Sequence, residues 1–152
     1  MAKGKFIYFI LFVFLLFLDQ FSKNQILHRL DFGSTEPFIP GFIQINLTSN
    51  TGGAFSILKG YPGLFKIVGI INVFIFVYIV FLRKLNINTI TRAGFTFILS
   101  GSLGNLIDRF IRGSVTDFLS FQFIDFPVFN LADVFIDVGV GLVLIGWFLK
   151  QK

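Results

Sequence analysis

Gly104 to Asp137 reads GNLIDRFIRGSVTDFLSFQFIDFPVFNLADVFID. This segment carries Asp108, Asp117, Asp125, Asp133 and Asp137, five of the eight acidic residues in the 152-residue chain. The sequence on either side is mostly apolar. An ionisable side chain in or beside a membrane span is costly, so it needs a partner or a task. The segment is therefore predicted to be a catalytic loop held between two membrane helices. Asp117 and Asp133 are the candidate working carboxylates.

The composition supports a membrane setting. The chain is 55% hydrophobic and 14% charged, with a mean hydropathy of +0.83, whereas about a quarter of a soluble domain is charged. Its length allows one integral membrane domain, 1–152, and no second. Cysteine is absent, which excludes disulfides, a thiol nucleophile and thiolate metal sites. His28 is the single histidine, which excludes a two-histidine zinc motif. Nothing in the sequence calls for a metal, a cofactor or a nucleic acid. Aspartates, hydroxyls, lysines and arginines remain, so an enzyme built from this chain is expected to use carboxylate chemistry.

The expected fold is an all-α membrane protein of four transmembrane helices, with a small extracytoplasmic β-sheet or hairpin. A helix needs about 20 residues to cross a bilayer. The predicted spans are about 6–28, 62–82, 91–110 and 131–149, and the outer segments are about 29–61 and 111–130. Phe6–Leu18 is apolar but short, so the first span must continue through Asp19-Gln-Phe-Ser-Lys23 to about His28. Lys3 and Lys5 before the apolar run resemble the start of a signal peptide, but no small-residue cleavage site follows, which predicts an uncleaved first span. Pro62 suits a first helical turn. Gly94, Ser100, Gly101, Ser102 and Gly104 in the third span, with Gly139, Gly141 and Gly146 in the fourth, would let helices approach closely. Trp147 sits where an interfacial aromatic belongs.

Charge predicts the orientation. Lys3, Lys5, Arg83, Lys84, Arg92, Lys150 and Lys152 fall on one side, while the opposite loops hold Arg29, Lys59 and Arg112. Both termini are expected to be cytoplasmic, and the Gly104–Asp133 stretch to open at the outer face.

In the first outer segment, Ile43, Ile45 and Leu47 alternate with Gln44, Asn46 and Thr48, the period of a half-buried strand. Ser49-Asn-Thr-Gly-Gly53 then signals a turn before the apolar run Ala54–Leu58. The plainer reading is a loop that joins two helices. In the second outer segment, Leu119, Phe121 and Phe123 alternate with Ser120, Gln122 and Ile124 until Pro127 breaks the run. Asn130 is a good helix N-cap, with Asp133 three residues on. Taken singly, Asp133 reads as a first-turn acid favoured by the helix dipole, and Asp117 as a solvated loop carboxylate. Taken together, they flank one short extended segment and can be folded to face each other. Two carboxyl groups sharing a site raise one pKa and hold one proton between them. Such a pair can activate water and protonate a leaving amine without a metal.

Five local motifs agree on a family. Asp19-Gln-Phe-Ser-Lys23, Asn50-Thr-Gly-Gly-Ala-Phe55, Gly104-Asn-Leu-Ile-Asp-Arg109, Val115-Thr-Asp-Phe118 and Phe129-Asn-Leu-Ala-Asp133 resemble, in order, those of lipoprotein signal peptidase (signal peptidase II). The resemblance covers essentially the whole chain. It implies an intramembrane aspartyl endopeptidase of the bacterial cytoplasmic (inner) membrane. Such an enzyme removes the signal peptide from prolipoproteins, cleaving before a diacylglyceryl-modified cysteine, and is blocked by globomycin. It implies Asp117 and Asp133 as the catalytic pair, with Asp19, Lys23, Asn50, Gly52, Asn105, Asp108, Arg109, Asn130 and Ala132 as supports for site and substrate. Membrane lipid and lipidated prolipoproteins are the implied partners.

Physical roles can be proposed for the supports. Asp19 and Lys23, four apart on a helix, can pair within the span. Arg109 can hold loop carbonyls or a lipid phosphate bidentately. Asn50 and Asn130 can donate to the pair or to the substrate backbone. The plainer reading of Asp19, Lys23 and Asp108 is that they satisfy helix ends. The chain departs from the family pattern at Gly53, where alanine is frequent, at Val134, where a small hydroxyl residue is common, and at Asp137. Two other classes of function compete: a small transporter or proton relay through Asp19, Lys23, Asp108 and Asp133, and a non-catalytic anchoring protein.

Overall fold

A computed structural model describes residues 2–52, 62–82 and 87–150. The elements follow as α1 (Ala2–Arg29), β1 (Thr35–Ile39), β2 (Ile43–Asn50), α2 (Pro62–Val77), α3 (Thr89–Ile111), β3 (Val115–Phe121) and α4 (Leu131–Lys150). A π-helical turn, Tyr78–Leu82, extends α2. Gly53, the apolar run Ala54–Leu58, Lys59, Arg83 and Lys84 lie outside the described residues.

Among the described residues three helical stretches, Lys5–Arg29, Gly63–Leu82 and Leu131–Lys150, are long and apolar enough to cross a membrane. The 23 residues of α3 reach about 34 Å at 1.5 Å per residue, but they include Arg92, Asp108 and Arg109. Position explains the difference. α3 packs against α1, α2 and α4, and its Thr96, Leu99 and Ser100 are fully buried. A helix covered by its neighbours needs no apolar coat. The covering helices carry that coat and turn Phe14, Phe74 and Leu144 outward.

Small residues set the α3–α4 spacing. A Cβ at Gly94 would lie 2.7 Å from the Gly139 carbonyl oxygen, and one at Gly139 would lie 2.6 Å from the Gly94 carbonyl oxygen. Only glycine on both helices allows backbones this close. At the end away from the sheet, Asn88 caps α3 by accepting from the Thr91 N–H at 2.8 Å, and donates to the Gly146 carbonyl at 2.6 Å. Arg92 donates to the Val80 carbonyl at 2.9 Å, and Lys5 donates to that of Phe81. The π turn thus ends on two cations, which suits both its unpaired carbonyls and the helix dipole.

The strands form one antiparallel sheet in the order β1-β2-β3. Ile45 and Leu47 are buried, as the alternation in β2 predicts. β1 tolerates Pro37 because it is an edge strand, and it turns into β2 at Pro40-Gly41, where Gly41 adopts φ 75°. Between β2 and β3 the register slips. Ile45 faces Leu119 while Thr48 faces Asp117, so β2 carries one extra residue. Such a bulge bends a strand and re-aims its side chains.

The second outer segment differs from the sequence expectation. It is extended over Val115–Phe121, not Leu119–Ile124. β-branched Val115 and Thr116 favour a strand, and they pair with Asn50 and Ser49. After a bend at 122–124, Phe129 returns to bridge Leu119, with reciprocal bonds of 2.8 and 2.9 Å. Aromatic rings close the return, Phe121 standing 5.2 Å from Phe129 and 5.7 Å from Phe126 between centroids. Asp117 therefore lies inside a strand and not on its flank. The return at Phe129 delivers the first turn of α4 beside it.

Candidate active site

The first turn of α4 is built by Asn130 and Asp133. The Asn130 Oδ1 accepts from the Asp133 N–H at 3.0 Å, and the Asn130 N–H donates to Asp133 Oδ2 at 3.2 Å. This reciprocal box satisfies two orphan donors of the helix end. It also fixes the Asn130 amide, because an Oδ1 turned to the helix leaves Nδ2 free to donate elsewhere. Nδ2 donates to Asp117 Oδ1 at 2.6 Å and to Asn105 Oδ1 at 3.1 Å. One residue therefore touches both candidate carboxylates.

The remaining carboxylate oxygens also meet amides. Asn50, at the end of β2, donates to Asp117 Oδ2 at 2.9 Å, while its own Oδ1 accepts from the Gly52 N–H at 2.9 Å. Asn105 on α3 donates to Asp133 Oδ1 at 2.8 Å. Asp117 is 2% exposed. Burial, with the Asp133 charge adding to it, lifts its carboxyl to about 6 against the lowering pull of Asn50 and Asn130.

A second cluster lies behind the first. Lys23, fully buried on α1, donates to Asp19 Oδ2 at 2.9 Å and lies 3.3 Å from Asp108 Oδ2. Its remaining bond runs to Asn105 Oδ1 at 3.1 Å. Asp19 and Asp108 are fully buried too. Asp108 accepts from the Thr116 N–H at 3.0 Å and from Arg112 at 2.6 Å, which ties α3 to β3. Asp19 Oδ1 accepts from the Ala132 N–H at 3.1 Å, which ties α1 to α4. Gly101 and Gly104 keep these helices close. A Cβ at Gly104 would overlap Asp19 Oδ2, and one at Gly101 would overlap the Ala132 carbonyl.

The structure thus gathers Asp19, Lys23, Asn50, Gly52, Asn105, Asp108, Asp117, Asn130, Ala132 and Asp133 into two joined networks. Arg109 stands at their edge, donating to the Gly52 carbonyl at 3.2 Å and the Asn105 carbonyl at 3.3 Å, and lying 5.2 Å from the Phe65 ring centroid. It holds a loop carbonyl, one of the two roles expected of it. Gln20 escaped the sequence reading. Its amide donates to Asp19, to Asp108 and to the Gly104 carbonyl at 2.9, 3.3 and 3.1 Å. A neutral amide in an apolar helix was its signal. Arg112 was legible by its spacing of four from Asp108.

Asp117 and Asp133 open onto a cleft of about 500 Å³ whose walls include Asn50, Arg109, Phe121, Phe126 and Val134. A buried and a half-buried carboxyl at the head of a mostly apolar cleft can share a proton and work on a bound peptide carbonyl. Among the described residues no group of acids and histidines is arranged to hold a metal.

The chain matches the signal peptidase (SPase) II family model over residues 11–149. It is 35% identical over 146 residues to a lipoprotein signal peptidase of Enterococcus faecalis, covering 96% of this chain and 90% of that one. It is 40% identical over 137 residues to one of Microcystis aeruginosa, covering 88% and 86%. A bacterial membrane enzyme solved by the in meso method at 2.3 Å superimposes with a TM-score of 0.88 at 32% identity, over 96% of this chain and 90% of that one. Another, solved at 1.9 Å, gives 0.84 at 33% identity, over 96% and 94%. The chain belongs to the signal peptidase II family, bacterial membrane proteases that cleave the signal peptides of prolipoproteins.

Proposed function

We propose that Asp117 and Asp133 are the catalytic pair of an aspartic endopeptidase, which cleaves just before a diacylglyceryl-modified cysteine. The observation that carries this is Asn130, which binds both carboxylates at the head of the cleft. One carboxyl is ionised and takes a proton from water as the water oxygen bonds to the scissile carbonyl carbon. The other is protonated and hydrogen-bonds the carbonyl oxygen. The tetrahedral adduct then collapses, the C–N bond breaks, and a proton passes to the leaving amine. Asn50, Asn105 and Asn130 hold the carboxylates, and Asp19, Lys23, Asp108 and Ala132 hold the elements that carry them. Gly52 and Arg109 shape the rim.

On this reading 1–152 is a single domain, and α3 is a fourth span, its polar face covered by the other three helices. Both termini are cytoplasmic, and the sheet and cleft stand at the outer face, where acyl chains of the substrate and of membrane lipid can enter. Globomycin is the expected inhibitor. A relay across the membrane finds no support, since Asp19, Lys23, Asp108 and Asp133 gather at the sheet end of the helices. Cysteines placed singly at Thr35 and Asp125 should label from outside intact cells, and one at Asn86 should not; the reverse pattern overturns the orientation.

The direct test is single-turnover cleavage of a lipidated precursor in detergent. Asp117→Asn and Asp133→Asn should each lose activity, with Asp125→Asn as a control that keeps it. An inactive Asp125→Asn beside a normal Asp117→Asn or Asp133→Asn would refute the assignment. Comparing lipidated with unlipidated precursor tests the acyl requirement, because each buried methylene contributes about 0.8 kcal/mol. Equal cleavage of the two would remove it.

A further inference from the structure

Of the three acids that line the cleft, Asp137 is the one left without an account. It lies on α4 one helical turn past Asp133, within the apolar stretch Leu131–Lys150. It is exposed, and it lines the same cleft as Asp117 and Asp133. Among the described residues it makes no hydrogen bond or ion pair. A carboxylate at membrane depth without a partner is costly, and the other described acids of the buried networks are all partnered. Past Asp133, the α4 wall of the cleft is otherwise apolar, formed by Val134, Ile136 and Val138.

The substrate supplies the complementary need. A peptide bond inside a helix has its carbonyl engaged, so the segment must unwind to be attacked. Unwinding at membrane depth frees backbone N–H groups, and each unsatisfied one costs several kcal/mol in hydrocarbon. In the proposed orientation α4 runs inward from Asp133, and the signal peptide lies on the membrane side of the cleaved bond. Four residues of helix advance about 6 Å, and an extended chain advances about 3.4 Å per residue. Asp137 therefore stands level with the backbone about two residues upstream of the bond that Asp133 attacks.

We infer that Asp137 is a substrate-positioning residue, whose carboxylate accepts a hydrogen bond from the unwound signal-peptide backbone about two residues before the cleavage point. The ligand is an extended backbone amide, so this contact selects backbone conformation and not side-chain type. A diacylglyceryl group carries ester oxygens and no N–H, so it cannot fill the role. The inference rests on the assignment of Asp117 and Asp133, since their position fixes where the cleaved bond lies.

The test pairs variants with substrates. Three synthetic lipidated precursors each carry an ester in place of one of the first three amides upstream of the cleaved bond, which removes the N–H and keeps the shape. In the wild type the ester at about the second position should lower kcat/KM about tenfold, a difference of about 1.4 kcal/mol. Asp137→Leu should lose about tenfold on the all-amide substrate and then be insensitive to that ester. Asp137→Asn keeps an acceptor and should keep most of the activity and the ester sensitivity. If the losses from Asp137→Leu and from every ester simply multiply, only water occupies this carboxylate and the inference fails. A shifted pH profile with no coupling likewise overturns it, assigning Asp137 to the charge of the pair. Asp117→Asn run on the same substrates separates the two readings. If it stays active, the catalytic assignment falls, while the coupling at Asp137 is still read from the wild type and the Leu variant.

Discussion

Two sets of carboxylates lie within one site, and they are built differently. Asp19 and Asp108 hold a lysine between them, at 2.9 and 3.3 Å, and Asp108 also meets Arg112. Among the described residues Asp117 and Asp133 meet only neutral donors, namely the amides of Asn50, Asn105 and Asn130 and one backbone N–H. In the first set two acids balance two cations, and the Gln20 amide and backbone N–H groups of β3 and α4 add further bonds. That is a scaffold, with its charge cancelled and its geometry fixed. In the second set no described cation bonds either carboxylate, and such a pair can hold a proton and exchange it. Neutral amides orient a carboxylate without removing its reactivity as a close lysine would. Asn105 joins the sets, accepting from Lys23 and donating to Asp133.

The comparison breaks most visibly in activity. Asp117→Asn and Asp133→Asn should each lower single-turnover cleavage by several orders of magnitude, about 10³-fold or more, and the double variant should cost little beyond either one, because in the proposed mechanism the pair acts as a unit. Two apparent pKa values in the pH–rate profile should belong to the pair and not to either residue. Losses that multiply in the double variant would mean that the two acids work independently.

Lys23→Met comes next. It leaves two buried acids facing each other without their cation, a change that costs about 3–5 kcal/mol. Thermal unfolding in detergent should show a large drop in midpoint. A Lys23→Met protein of normal stability and no activity would move Lys23 from the scaffold into the reacting set.

Much of this was legible in the sequence because membrane chemistry is strict. A 20-residue apolar run has few alternatives to a helix, and the four helices begin and end within about four residues of the reading, inside the usual scatter of such boundaries. Asn130 and Asp133 announced their cap by spacing alone. The errors fell where tertiary pairing overrides local pattern. The Leu119–Ile124 alternation looked like the strand, but pairing with Asn50 and Ser49 drew the strand back to Val115. That moved Asp117 from a flank to an interior position. Gln20 was missed because an amide announces no charge, and its three acceptors come from α1 and α3. No sequence period encodes such a meeting.

The smallest effect concerns stability, and its sign separates the two sets. Burial and the Asp133 charge push the Asp117 carboxyl up to about 6 in the folded protein, from an ordinary value of 3.8. The folded state therefore binds more protons than the unfolded state between those values, and stability falls as pH rises through that window. A shift of about two units corresponds to about 3 kcal/mol, present as a penalty above pH 6 and absent below about pH 4. Asp117→Asn removes the penalty. It also sets an amide N–H against the Nδ2 of Asn130 or Asn50, which costs about 1 kcal/mol. The variant should thus be more stable than the wild type by about 2 kcal/mol at pH 7.5. Its advantage should shrink through pH 5 and reverse slightly near pH 4, read as the difference in unfolding midpoint in one detergent. Lys23→Met should show no such gain at any pH. An Asp117→Asn protein less stable than the wild type at pH 7.5 would place Asp117 with Asp19 and Asp108, among the acids that hold the fold together.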